Sequence, residues 1–203
     1  MKKILASLKL SSFILSSFLL FPLLSFAGKV VDLQGTRYCD NKAMQGIEIE
    51  MSELVTVDRI VVQKSSRLLY MMANGKIIKS YSIAMGPQAE NGPKEFEGDN
   101  KTPEGLYSIE FKNPKSNYYM ALKVSYPNAK DLAYAKARNK KAGGFIMVHG
   151  FPVRPIDGLV PSEVKESHPL QDWTQGCMAV TDREIEEIYS YVQVATPIEI
   201  CPQ

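Results

Sequence analysis

Asn74-Gly75 stands between two β-leaning runs, Leu68-Leu69-Tyr70-Met71-Met72 before it and Lys76 to Ala84 after it. A two-residue Asn-Gly connection wants positive φ at both centres and matches the twist of paired strands, so the stretch is expected to fold back as a hairpin. Arg59-Ile60-Val61-Val62-Gln63 precedes it as a further β run, separated by Lys64-Ser65-Ser66. Three adjoining strands commit the chain to a sheet.

The rest of the chain extends that sheet. Gly86 to Asn100 is a loop by composition, and Lys101-Thr102-Pro103-Glu104-Gly105 continues it as a tight turn. Leu106 to Phe111 alternates like a half-buried strand, and Tyr118 to Ser125 is another. Pro127 to Lys141 has helix-forming composition and stops at Gly143-Gly144. Phe145-Ile146-Met147-Val148 is a short apolar strand ending at His149-Gly150. Residues 151–173 hold Pro152, Pro155, Pro161 and Pro169, which predicts a surface loop with a short helical turn. Connections this long inside a compact domain are usually functional or lid-like. Thr181-Asp182-Arg183-Glu184 is a capping box, and Ile185, Ile188, Tyr189 and Val192 then share one helix face. Pro197-Ile198-Glu199-Ile200 is the last strand. The class is mainly β with two short helices.

The first residues read as an export signal. Lys2, Lys3 and Lys9 precede an apolar run from Leu10 to Leu24, and Ser25-Phe26-Ala27 offers a cleavage site after Ala27. An uncleaved membrane anchor is the alternative, disfavoured by that site and by the polar chain after it. Cleavage would leave 203 − 27 = 176 residues, enough for one domain with a sizeable core. The removed segment takes three of 24 basic residues, so the remaining balance is 21 − 22 = −1. That balance gives no support for nucleic acid or an anionic membrane as partner. No later stretch is apolar enough to span a bilayer.

Three cysteines is an odd count for an oxidising compartment. Chain ends in compact domains often lie close together, which makes Cys39 and Cys201 candidates for a disulfide. Such a bridge would close a loop of about 160 residues, where chain entropy predicts about 4–5 kcal/mol of stabilisation. Free thiols, pairing between molecules, and pairing of Cys177 with either one remain alternatives. If the terminal pair forms, Cys177 is left as the single thiol.

Cys177 lies in Thr174-Gln175-Gly176-Cys177-Met178-Ala179-Val180, behind a glycine that lets a substrate carbonyl approach the backbone. A thiolate is a strong nucleophile but needs a base, and the chain has two histidines. His149, at the end of a buried strand, is the candidate; His168, in the proline-rich loop, is expected to be a solvated surface residue.

Three stretches together resemble the L,D-transpeptidase catalytic domain, the YkuD-type family of bacterial cell-wall enzymes. They are Phe145 to Gly150, the Thr174-Gln175-Gly176-Cys177 box, and Gly98-Asp99 through Lys101-Thr102-Pro103-Glu104-Gly105-Leu106-Tyr107. The resemblance spans about residues 57–200. It implies a β-sandwich-like fold over 57–203, after a signal peptide at 1–27 and an N-terminal extension at 28–56. It implies peptidoglycan stem peptides as substrate, no cofactor and no metal, and two histidines with separated cysteines give no zinc spacing in any case.

Carried over by position, the resemblance makes Cys177 the nucleophile and His149 its base. Backbone N–H groups of Gly176 with Cys177 or Gln175 would face the oxyanion. Gly150, Thr174, Trp173 and Arg154 are candidate substrate contacts, with Trp173 expected chiefly to pack beside the cysteine. The acyl acceptor would be an amine (a diaminopimelate, a protein lysine or a D-amino acid) or water, the last giving an L,D-carboxypeptidase or amidase. Family members often carry His or Arg at the position of Gln175 and Arg at that of Ala179. The separation 177 − 149 = 28 exceeds the family's common spacing and marks 151–173 as an insertion. Arg154 or Arg183 would then have to supply the missing carboxylate contact. A non-catalytic cell-wall binding domain is the rival from another class, though a binder needs neither Cys177 nor His149.

Overall fold

The computed structural model describes residues 38, 39 and 56–202. The expected export signal and almost all of the expected N-terminal extension lie outside the described residues. The first three strands are β1 (Arg59–Gln63), β2 (Leu68–Ala73) and β3 (Lys76–Ser82). Asn74 and Gly75 take φ of 51° and 75°, the left-handed pair that the hairpin turn needs.

β4 (Gly105–Ser116) is twelve residues long and belongs to both halves of the sheet. Its first four residues pair with β8 (Pro197–Cys201), and from Ile109 onward it pairs with β5 (Tyr119–Val124). The strand runs on past Pro114, beyond the Phe111 limit expected from sequence. The ladder shifts register between Asn113 and Ser116, the kind of irregularity where a strand tolerates proline.

β6 (Met147–His149) and β7 (Met178–Ala179) complete the order β3-β2-β1-β8-β4-β5-β6-β7. Ala84, just after β3, exchanges both backbone hydrogen bonds with Ala179, at 3.0 and 2.8 Å. The two ends of the sheet therefore meet. The expected sandwich is built from one continuous curled sheet. Its enclosed core gathers Ile60, Val62, Ile198 and Ile200 from one half with Leu122, Val124 and Val148 from the other.

Among the described residues three helices are present where two were expected. α1 (Ala129–Ala137) is capped by Asn128, and α3 (Asp182–Tyr191) carries both bonds of the Thr181/Glu184 capping box. Ile185 and Ile188 of α3, with Val192 at its C-cap, are fully buried in the core, each contributing about 1.5–3 kcal/mol of apolar burial. The additional helix, α2 (Pro161–Ser167), occupies the long connection where only a helical turn was expected. Pro161 stands at its first turn, where a missing N–H costs nothing.

Cys39 and Cys201 form a disulfide across 162 residues, with Cα atoms 5.2 Å apart. Beside it, the buried Glu199 carboxylate accepts from the Tyr38 N–H at 3.1 Å and from Arg59 at 3.4 Å. These contacts fasten residues 38 and 39 to the face of β1 and β8 opposite the main core.

Candidate active site

β6 and β7 run parallel with Val148 opposite Met178 and His149 opposite Ala179. One step back in that register, Cys177 lies beside Met147. Side chains alternate across a strand, so Met147, His149 and Cys177 point to one face, and Cys177 sits diagonally across from His149. Both line a cleft of about 480 Å³.

The turn before β7 is held by close contacts. Thr174 Oγ1 donates to the Cys177 carbonyl at 2.8 Å and accepts from the Gly176 N–H at 3.2 Å. Gly176 has φ of 121°, and a Cβ there would stand 2.4 Å from the Lys101 carbonyl oxygen. Only glycine fits. The Lys101 segment is braced in turn by Asp99, whose carboxylate accepts from the N–H groups of Glu95, Phe96 and Lys101 and from Lys94 Nζ. The Lys94–Asp99 pair is almost wholly buried, and Lys94 reaches the cleft. On the other side, Asp172 accepts from the Met85 N–H at 2.7 Å, and the Thr174 N–H donates to the Met85 carbonyl at 3.0 Å.

His149 is buried, and its Nδ1 lies 2.7 Å from the Gly150 carbonyl oxygen. A carbonyl only accepts, so the neutral ring carries its proton on Nδ1 and keeps the Nε2 lone pair free. The imidazole lies 4.5 Å from the Tyr118 ring and 5.6 Å from the Trp173 ring, centroid to centroid. Burial among these rings pulls its pKa down to about 4, against the pull of the Gly150 carbonyl. Burial pushes the Cys177 thiol up to about 11, opposed by the Met147 N–H and the Lys94 charge. The thiol donates to the Phe145 carbonyl at 3.4 Å, and Phe145 takes φ of 56° there. At neutral pH the resting pair is thiol and imidazole, both uncharged.

The sequence-predicted contacts divide. Trp173, Thr174 and the exposed Gln175 line the cleft beside Cys177 and His149. Trp173 packs on His149 and Tyr118. Gly176, whose N–H was expected to face the oxyanion, donates that N–H to Thr174 Oγ1. Gly150 is a packing position, since a Cβ there would meet Asp182 at 2.7 Å and Ile185 at 3.0 Å. Arg154 is exposed, outside the cleft lining, and donates to Asn117; Arg183 is exposed on α3. His168 is half-buried with its ring against Phe151, not solvated as expected. Tyr118, Lys94 and Asp172 were not singled out from sequence. Among the described residues, the one group placed to hold a metal is Cys39, Glu199 and Cys201, and its two sulfurs are joined in the disulfide.

Residues 57–200 match the model of the YkuD L,D-transpeptidase catalytic domain. The chain belongs to that family. It is 28% identical over 177 residues to the Escherichia coli (strain K12) protein named Putative L,D-transpeptidase YafK, covering 86% of this chain and 60% of YafK. Among solved structures it resembles the helical cell shape determining protein Pgp2 from Campylobacter jejuni, with a TM-score of 0.51 and 25% identity. That match covers 71% of this chain and 48% of the Pgp2 chain. The chain thus spans about half to three-fifths of the length of these relatives. Within the family match, the stretch from Gly98 to Tyr107 supplies the braces behind the cysteine turn, which gives that motif a structural role.

Proposed function

We propose that this chain is an exported enzyme that transfers acyl groups of peptidoglycan stem peptides through a thioester on Cys177. One observation carries the reading. A neutral imidazole with its proton committed to Gly150 and a lone thiol lie on one face beside two paired strands and line one cleft. Membership of the L,D-transpeptidase family and the similarity to YafK support the substrate class.

In this mechanism the substrate carbonyl enters beside Cys177, and His149 Nε2 takes the thiol proton as sulfur attacks. The neutral resting pair means that the thiolate forms only as the C–S bond forms, inside a site closed around His149. The scissile bond joins the L-centre of diaminopimelate to the terminal D-Ala of a tetrapeptide stem. The oxyanion is received by backbone N–H groups of Cys177 and Gln175, and one such donor is worth about 3 kcal/mol. His149 returns its proton to the departing D-Ala nitrogen. An amine then attacks the thioester, giving its proton to His149, and the sulfur leaves to recover that proton. Water in place of the amine would make the same site an L,D-carboxypeptidase or an amidase of protein–peptidoglycan links. The N-terminal residues 1–27 fit an export signal that delivers the domain to the periplasm.

The product profile with tetrapeptide muropeptides tests the reading. Wild-type protein is expected to give cross-linked or exchanged products, and Cys177→Ala none. Tripeptide monomers without any transfer product would replace the transferase by the hydrolase.

A further inference from the structure

The connection between His149 and Cys177 is fastened to the β4–β5 hairpin at its start. The Val153 N–H donates to the Asn117 carbonyl at 2.9 Å, and Arg154 Nη2 donates to Asn117 Oδ1 at 3.2 Å. The chain then makes a tight turn at Asp157-Gly158, with φ of 52° and 80°. Ile156 and Leu159 exchange both backbone hydrogen bonds across it, at 3.2 and 2.8 Å. This is the rigid two-residue geometry of a hairpin tip. It presents Asp157 to the cleft that holds Cys177 and His149.

Lys115 lines the same cleft from the hairpin, two residues before Asn117. Two loops tied together at Asn117 therefore bring one carboxylate and one ammonium to the reacting cleft. Neither forms an ion pair among the described residues. The Tyr118 ring lies against His149, and Tyr118, Asp157 and Cys177 line the same cleft, which places this carboxylate on the reacting side. The other lysine of the cleft, Lys94, is already committed to Asp99. Among the described residues, Lys115 is therefore the uncommitted lysine of the cleft that a substrate carboxylate would meet.

We propose that Asp157 and Lys115 form a specificity subsite for the zwitterionic α-amino acid centre of the acyl acceptor, Asp157 taking its ammonium and Lys115 its carboxylate. The proposal rests on the acyl-transfer reading above. The bound ammonium releases one proton to solvent, and its lone pair attacks the thioester carbon. A C–N bond forms and the C–S bond breaks. The second nitrogen proton passes through His149 to the departing sulfur. A site serving water alone would have no use for a fixed anion and a fixed cation at this place.

Trp173 is the single tryptophan and stacks on Tyr118 in the cleft, so its fluorescence reports occupancy without any turnover. The probes are D-alanine, D-alaninamide, which lacks the carboxylate, and D-lactate, which lacks the ammonium. Wild-type protein is expected to bind D-alanine about fivefold or more tightly than either analogue, the gain of one partly solvated charge contact. Asp157→Asn keeps the turn, because asparagine tolerates the left-handed conformation. It is expected to weaken D-alanine about fivefold and to erase the preference over D-lactate. Lys115→Gln is expected to erase the preference over D-alaninamide. Glu163→Gln makes the same charge change as Asp157→Asn, on α2 outside the cleft lining, and is expected to change nothing. Equal binding of the three probes, or unchanged D-alanine binding in both cleft variants, overturns the subsite. Acyl-enzyme formation from a stem peptide is measured separately. A protein that discriminates the probes but forms no acyl-enzyme overturns the transfer reading and leaves the zwitterion subsite standing.

Discussion

The Nδ1 proton of His149 is held by the carbonyl of Gly150 at 2.7 Å, so the next residue in the chain fixes the tautomer of this imidazole. No carboxylate is needed for this orientation. A neutral carbonyl does not stabilise imidazolium as a buried anion would, and burial keeps the ring uncharged down to about pH 4.

A pH dependence of stability follows. In the unfolded chain the histidine takes up its proton near pH 6.5, and in the folded protein only near pH 4. The unfolded state therefore binds more protons between these values, and stability is lost as pH falls from 6.5 toward 4. Thermal unfolding should show a steeper loss over that window in wild-type protein than in His149→Gln. Equal slopes would contradict a buried neutral imidazole.

Cys177 gives the opposite sign. Its folded-state pKa of about 11 lies above the thiol's ordinary value of 9.0, so its contribution is present below pH 9 and fades as pH rises toward 11. Alkylation by iodoacetamide is the direct assay. At pH 7 the protein should react more slowly than free cysteine, with the rate climbing through the alkaline range. A rate already level below pH 8 would mean a resting thiolate.

Thr174 organises the turn that carries Cys177 through its hydroxyl, which bonds the Gly176 N–H and the Cys177 carbonyl at once. Thr174→Val preserves shape and removes both bonds. It should cost about 1–3 kcal/mol of stability through the partners left unpaired. It should also slow acylation, and Thr174→Ser should restore most of both. Denaturant unfolding together with the rate of acyl-enzyme formation checks this.

Gly176→Ala has no such tolerance. The added methyl would meet the Lys101 carbonyl at 2.4 Å with a backbone that L residues rarely adopt, so the turn must move. Strain of this kind costs about 1–3 kcal/mol before the clash is counted. The variant should fold with a lowered melting temperature and lose thiol acylation, because Cys177 is carried by the displaced turn. Unchanged acylation would show that the turn's geometry is not required.

Local chemistry was legible in the sequence wherever a few adjacent residues decide a conformation. The Asn74-Gly75 hairpin and the Thr181/Glu184 capping box are of that kind, and both formed as written. The strand-end position of His149 and the glycine before Cys177 were legible for the same reason. What was not legible depends on partners far apart in the chain. Tyr118 meets His149 only because β5 pairs with β6, and Asp172 finds Met85 across 87 residues. The capture of the Gly176 amide is local but hinges on one threonine rotamer, so the box motif alone pointed that amide toward substrate. His168 looked solvated because its neighbours are polar and proline-rich, yet its ring packs against Phe151 from the start of the same connection. The course of β4 past Pro114 was hidden by a residue that ordinarily ends a strand.

In the proposed reaction Cys177 carries the acyl group. Mass measurement of the intact protein after brief incubation with a tetrapeptide stem, followed by peptide mapping, tests it most directly. One added acyl mass, equal to the stem less its terminal D-Ala, is expected on the peptide containing Cys177, and none in Cys177→Ala. Stem turnover that persists undiminished in Cys177→Ala, or an adduct on any other residue, would contradict it.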